Sequence, residues 1–147
     1  MPWLADTARV ERAWLDAYHA ADANALDSAD LASIPIERLA EVKFTPHPAA
    51  RLVRSHYAAV TIFAANRAPA PAEAIDASRA EDALISRPES DVFVRRLPPG
   101  HAEFLLALMA DRPLGEAAAV ALEAFSDFDI GDGLATLIQS GAFASAC

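Results

Sequence analysis

The 147-residue chain has very little cysteine, lysine or glycine. Its one cysteine is the last residue, Cys147, so no internal disulfide and no thiolate metal cluster can form. A cysteine at that position is expected on a frayed end. Lys43 is the single lysine; every other basic side chain is an arginine. No apolar run approaches the roughly 20 residues that a membrane-spanning helix requires. The N-terminus lacks the basic-then-apolar order of a signal peptide, so a cytoplasmic location is the expectation. There is no Gly-rich phosphate loop, no His-Glu-x-x-His, no Cys-x-x-Cys and no nucleophile elbow. The best-known sequence signs of nucleotide, zinc and serine-hydrolase chemistry are therefore missing, and neither enzymatic activity nor a cofactor is expected.

What is present is apolar and acidic. The hydrophobic fraction is 54%, much of it alanine, enough for the core of one domain or two small lobes. The net charge is −9. The acid is concentrated at the two ends, and any positive surface has to come from the middle, mainly from Arg51, Arg54, Arg87, Arg95 and Arg96. From residue 97 onward only Arg112 opposes Glu103, Asp111, Glu116, Glu123, Asp127, Asp129 and Asp132.

Periodicity divides the chain into short elements. Val10, Trp14, Ala17, Tyr18 and Ala21 recur at three- and four-residue spacing, which predicts a helix over Asp6–Asp22 with Asp6 as N-cap. Ala23–Ser33 reads as a polar connector. Pro35, with its fixed φ, starts a short helix that runs to about Glu41. Val42–Thr45 and Arg51–Arg54 read as extended, and Ser55 can cap a helix that ends at Asn66. Arg67–Ala80, with its Ala-Pro-Ala-Pro-Ala run, reads as a linker or long loop. Ala83–Arg87 and Asp91–Arg96 flank Pro88-Glu89-Ser90 in a hairpin pattern. Three helices follow, at His101–Ala110, Leu114–Phe125 and Ile130–Ser140. The expected fold is α+β. A helical lobe with short strands covers 1–66, a linker covers 67–80, and a hairpin plus three helices covers 81–147. The last of these resembles a winged-helix or peptide-recognition element and carries the Leu137-Ile138-Gln139-Ser140-Gly141 ending common in winged-helix domains.

A winged-helix shape suggests a DNA-binding regulator, and the charge map speaks against it. DNA affinity comes largely from Lys and Arg that neutralise phosphates and release counterions, and Ile130–Ser140 has neither. Other side-chain groups read more simply as structural. His47 and His56 flank the Arg51–Arg54 strand but lack further metal ligands at suitable geometry. Asp127, Asp129 and Asp132 lack the glycine and terminal glutamate of a calcium loop and are expected to cap and solvate. Trp14 and Tyr18 share a helix face and are expected in the core. Arg95 and Arg96 end a strand, either solvated or as a fork for a carboxylate.

Several runs, taken together, carry a family resemblance. They are Trp3-Leu4-Ala5-Asp6-Thr7-Ala8-Arg9-Val10-Glu11-Arg12-Ala13-Trp14 with His19-Ala20-Ala21-Asp22; Pro35-x-x-Arg38-Leu39; His47-Pro48-Ala49-Ala50-Arg51-Leu52-Val53-Arg54-Ser55-x-Tyr57; Ile62-Phe63-x-Ala65-Asn66; Arg87-Pro88 with Val92-x-Val94-Arg95-Arg96-Leu97; Pro113-Leu114-Gly115-Glu116-Ala117; and Phe128-Asp129 with Leu137-Ile138-x-x-Gly141-Ala142-Phe143. In this order they resemble the second half of the HvfC/BufC family, whose members long carried a DNA-binding label. Typical members have a further helical region before the segment matching Trp3, and often a proline where this chain has Ala58. The resemblance implies a non-catalytic partner of an iron-dependent, barrel-type enzyme that modifies a ribosomally made precursor peptide.

In peptide-modifying systems a leader peptide adds as a strand to the edge of a winged-helix-like element and packs on its last helix, a form of β-augmentation. Placed on this chain, that site is the exposed edge of Asp91–Arg96 and the helix Ile130–Ser140. Its expected residues are Val92, Val94, Arg95 and Arg96, with Leu134, Leu137 and Ile138 at helical spacing. By the two-residue period, Val92 and Val94 share one strand face, and Phe93 and Arg95 the other.

Overall fold

The computed structural model of the chain describes residues 1–67 and 75–147. The fold is mixed α+β, with more helix than strand. Helix α1 (Leu4–His19) is followed by the short α2 (Ser28–Ala32) and a 3-10 helix (Ile36–Glu41); then come β1 (Phe44–Pro46), β2 (Arg51–Ser55) and α3 (Ala59–Arg67). The second half runs β3 (Glu81–Ser86), β4 (Phe93–Arg96), α4 (His101–Met109), α5 (Leu114–Ala124), α6 (Ile130–Ser140) and β5 (Phe143–Ala146). Of the expected linker, residues 68–74 lie outside the described residues, and Arg67 itself closes α3.

Two antiparallel sheets tie the halves of the chain together. β2, β3 and β4 form one in that order, with Val53 opposite Ala83 and Ile85 opposite Val94. β1 pairs with β5, and the backbones of Lys43 and Cys147 exchange both hydrogen bonds at 2.9 Å. The C-terminal residue is thus paired rather than frayed, although its side chain is exposed.

The three-stranded sheet is a middle layer, because its residues alternate between two cores. Val53, Ala83 and Ile85 pack with Val10, Ala13 and Ala17 of α1 and with Ala59, Val60 and Phe63 of α3. Leu52 and Leu84 point the other way, into a cluster with Phe104, Leu105 and Leu108 of α4, Ala117 and Ala121 of α5, and Leu137 of α6. Gly133 lets α6 approach α4 closely: a Cβ there would stand 2.8 Å from Phe128 Cζ and 3.0 Å from Phe104 Cε2.

Several local expectations need correction. Asp6 does not cap α1; Trp3 is at the cap position, and the Asp6 carboxylate instead accepts from Ser55 Oγ at 2.6 Å. That bond outweighs partial burial and, with Arg9, holds the Asp6 pKa below its ordinary value. The polar connector contains α2, started by a reciprocal capping box between Asp27 and Asp30. Trp14 and Tyr18 stack at 5.6 Å, yet Tyr18 is 56% exposed, and the Arg67 guanidinium lies 4.3 Å from the Trp14 ring centre. Arg87 contributes little to the surface. It is buried and donates to the carbonyls of Ala17 and Ala20 at the end of α1, to Glu89 O, and to Asp22 Oδ1 at 2.7 Å. A cation is well placed there, against the negative end of the helix dipole.

Candidate functional site

β4 is an edge strand: among the described residues, only β3 pairs with it. Leu97 N donates to Asp82 O at 2.9 Å. That makes Asp82–Leu97 a hydrogen-bonded pair, and antiparallel alternation places Leu84–Arg95 and Ser86–Phe93 in the next ones. The N–H and C=O groups of Val94 and Arg96 therefore point away from the sheet. An extended chain could take up these open groups.

The side chains of β4 divide as the alternation requires. Val94, and Val92 just before the strand, pack on the α1/α3 side. Arg96 shares that side and reaches Glu81 at 3.4 Å. The Glu81 carboxylate is buried and accepts from Thr61 N at 2.9 Å and Thr61 Oγ1 at 2.6 Å. Arg95 lies opposite Leu84 and Phe93 opposite Ser86, both on the α4 side. Arg95 has no ion pair among the described residues, and Phe93 is 53% exposed.

Helix α6 lies on that same side. Leu137 is fully buried in the α4 cluster, and Leu134 and Ile138 are half-buried against it. Near the middle of α6, Thr136 Oγ1 stands 3.2 Å from His101 Nδ1, just beyond the end of β4. The helix ends at Gly141, where a Cβ would come within 2.5 Å of Pro88 Cβ in the hairpin turn. The seven expected site residues are thus divided by the sheet. Arg95 is on the α6 side with Leu134, Leu137 and Ile138, while Val92, Val94 and Arg96 are on the other. What Val94 and Arg96 offer at the edge is backbone.

Two adjoining cavities open past the end of β4 and share Pro99 and Phe125. The first, about 570 Å³, is lined by Arg54, His56, Asp82, Arg96 and Leu97. Arg54 is gripped by Asp82 at 3.0 Å and by Glu103 at 3.1 Å. Burial opposes its charge, and the two carboxylates outweigh burial, so its pKa is raised. Glu103 Oε1 is buried without a hydrogen-bond partner. The second cavity, about 540 Å³, is lined by His101, Phe128, Asp127, Asp129 and Asp132. Asp129 caps α6 by accepting from Asp132 N at 3.1 Å. Burial lowers the His101 pKa, against the pull of Asp132.

Of the other histidines, His56 lines the first cavity and His47 serves the fold. His47 is buried, with Nε2 2.9 Å from Ala23 O and Nδ1 accepting from Ala49 N at 3.0 Å, so it donates through Nε2 as a loop tie. Among the described residues, no group of three or more His, Cys, Asp or Glu is arranged to hold a metal ion. None of their helices is long and apolar enough to cross a membrane.

No family model matches the chain, and neither does any curated protein or solved structure. Phe93, Phe125 and His101 were not among the residues the sequence singled out for the site. Phe93 had a visible signal, a large aromatic alternating with two valines on a short strand. Phe125 and His101 had none: the first cavity, which Phe125 lines, is made by residues from both halves of the chain, and the second brings His101 at the start of α4 against the Ala124–Asp132 segment.

Proposed function

We propose that this chain is a non-catalytic accessory subunit. In this reading it pairs with an iron-dependent, barrel-type peptide-modifying enzyme and presents the leader segment of a ribosomal precursor peptide. The observation that carries it is the open edge of β4, with the backbone groups of Val94 and Arg96 directed outward beside the exposed Phe93 ring. Strand addition obtains affinity from main-chain hydrogen bonds and register from side-chain pockets, and it needs no catalytic residue. The winged-helix-like relation of β3–β4 to α4–α6, the family resemblance and a cytoplasmic setting belong to the same reading. Duplex DNA is the competing partner. It is disfavoured because α6 has no Lys or Arg and begins beside Asp127, Asp129 and Asp132.

The test is co-expression of the tagged chain with a candidate enzyme and its precursor peptide. Both should be retained on the chain. Val94→Pro removes an outward N–H, which a folded edge strand tolerates, and should release the peptide. Arg96→Glu keeps the backbone and serves as a second variant. Retention of neither partner, or salt-sensitive retention of duplex DNA in their place, would overturn the reading.

A further inference from the structure

The arginines of the three-stranded sheet are engaged, with one exception. Arg51 donates to the carbonyls of Pro48 and Ala50, Arg54 is held by Asp82 and Glu103, and Arg96 reaches Glu81. Arg95 is partly buried, and among the described residues no carboxylate comes within ion-pair distance of it. It stands on the edge strand two residues from Phe93, which is 53% exposed. An unpaired cation and an uncovered aromatic ring thus share the α4 face of an open edge.

An added strand would meet these two side chains in a fixed geometry. The outward backbone groups of β4 belong to Val94 and Arg96, so these form the hydrogen-bonded pairs with an antiparallel newcomer. Arg95 and Phe93 then fall at non-hydrogen-bonded positions, where facing side chains stand closest. Antiparallel is the direction of both existing pairings in this sheet. The residues facing Arg95 and Phe93 are two apart in the newcomer, and the one facing Arg95 comes first. A carboxylate is what a guanidinium fork recognises. A β-branched apolar side chain covers an aromatic ring well across a pair of strands. The other face gives no such choice: Val92 and Val94 pack into the α1/α3 core, and Arg96 is drawn to the buried Glu81.

We propose that the β4 edge recognises an extended, antiparallel segment of the form acid-x-apolar, with its carboxylate on Arg95 and its apolar side chain on Phe93. The residue between them exchanges both backbone hydrogen bonds with Val94. That the segment belongs to a precursor leader rests on the accessory-subunit reading; the acid-x-apolar preference rests on the edge itself. The two adjacent arginines then have different parts. Arg95 reads a side chain, and Arg96 lends its backbone.

The probe is the peptide acetyl-Thr-Glu-Thr-Val-Thr-amide, added to the full 15N-labelled chain. The neutral control has Gln in place of Glu, and acetyl-Thr-Val-Thr-Glu-Thr-amide reverses the order. Expected are saturable downfield shifts of the Val94 and Arg96 amide protons, which gain acceptors. Those of Phe93 and Arg95, whose N–H groups already face β3, should move less. The Gln peptide should bind about fivefold weaker, since one cross-strand charge pair is lost, and the reversed peptide should also bind weaker. Arg95→Gln should bring the Glu and Gln peptides to equal affinity, and Arg96→Gln should leave their ratio unchanged. Equal binding of the two peptides by the unaltered chain, a preference abolished by Arg96→Gln instead, tighter binding of the reversed peptide, or no shift at Val94 and Arg96 would overturn the proposal. Absence of the Glu preference while a co-expressed precursor is still retained would remove the acid-x-apolar rule alone. A Glu preference on a chain that retains no precursor would remove the leader and leave the edge site.

Discussion

The two faces of the three-stranded sheet are packed by different means. On the α4 side the fully buried side chains are large: Phe44, Phe104, Phe143, Leu84, Leu105, Leu108 and Leu137. On the α1/α3 side the layer is mostly Ala and Val, with Phe63 and Ile85 the larger members. Small side chains remove less apolar surface from water, and hydrophobic stabilisation scales with that area. The thin layer is correspondingly tied by charged and polar groups: Arg87 at the end of α1, Asp6 with Ser55, and Glu81 with Thr61 and Arg96. One face is held by volume, the other by hydrogen-bonded charge. The expected peptide edge, β4, borders both.

The largest effect should come from the voluminous side. Phe104 is fully buried, stacks obliquely on Phe128 at 5.3 Å and packs against Gly133. Phe104→Ala should cost about 3–5 kcal/mol by lost transfer energy and the cavity left behind, read as a lowered midpoint in urea. A cost under about 1 kcal/mol would show that this side is not packed by volume.

On the thin side the corresponding break is Arg87→Met. The stem volume is kept, while the carbonyls of Ala17, Ala20 and Glu89 lose their donor. Leaving buried acceptors unsatisfied should cost about 1–3 kcal/mol, with amide exchange accelerated first in the last turn of α1. If exchange accelerates equally in α4, the two faces are not held separately.

This contrast explains what was legible in the sequence. α4, α5 and α6 fall within a residue of the predicted ends, because large apolar residues at helical spacing and terminal signals such as Pro113, Asp129 and Gly141 agree. The β3–β4 hairpin was legible from the alternation around Pro88-Glu89-Ser90. β5 was not: Phe143-Ala-Ser-Ala has little β character of its own, and its partner β1 lies far away in sequence. Arg87 gave no sign of burial, since most of its acceptors lie at and just past the end of α1, far along the chain. The candidate site was half legible. Alternation divided the β4 residues correctly between the two faces, but nothing local showed that α6 lies on the Arg95 face.

Gly141 tests where the faces meet the hairpin. Its φ of +64° ends α6 in the left-handed region, and an added Cβ would meet Pro88. Gly141→Ala should cost about 1–2 kcal/mol from backbone strain alone, with further loss from the contact. Calorimetric melting of this variant beside Gly131→Ala, where the nearest contact is only the Asp129 side chain, separates packing from helix propensity.

The pH response should come from both sides with different windows. Burial lowers the His101 pKa in the folded state, so the unfolded chain takes up the proton first. Stability is full above the unfolded value of 6.5 and falls as pH drops from there through the lowered folded value. Asp6 acts in the same direction but in a lower window: its folded pKa is lowered from 3.8, so its contribution is present above 3.8 and is lost as pH falls through the folded value. Urea midpoints across pH should therefore decline in two stages. His101→Gln should flatten the upper one and Ser55→Ala the lower.

The smallest stability change is expected at Arg96, although it sits on the proposed edge. Its guanidinium is half exposed, and the contact with Glu81 is 3.4 Å long, so solvent screens the pair and its worth is about 0–1 kcal/mol. Glu81 has better partners in Thr61 N and Thr61 Oγ1, and these remain when Arg96 is removed. Arg96→Ala should therefore shift the urea midpoint little, and Thr61→Val should shift it more, since it removes a short hydrogen bond to a buried carboxylate. A double-mutant cycle on Arg96 and Thr61 measures how far the two share Glu81. Coupling above about 1 kcal/mol would make Arg96 part of the polar tie that holds the thin face. Coupling near zero would leave its side chain available to whatever lies along the strand, and peptide retention by Arg96→Ala could then be read as a binding effect.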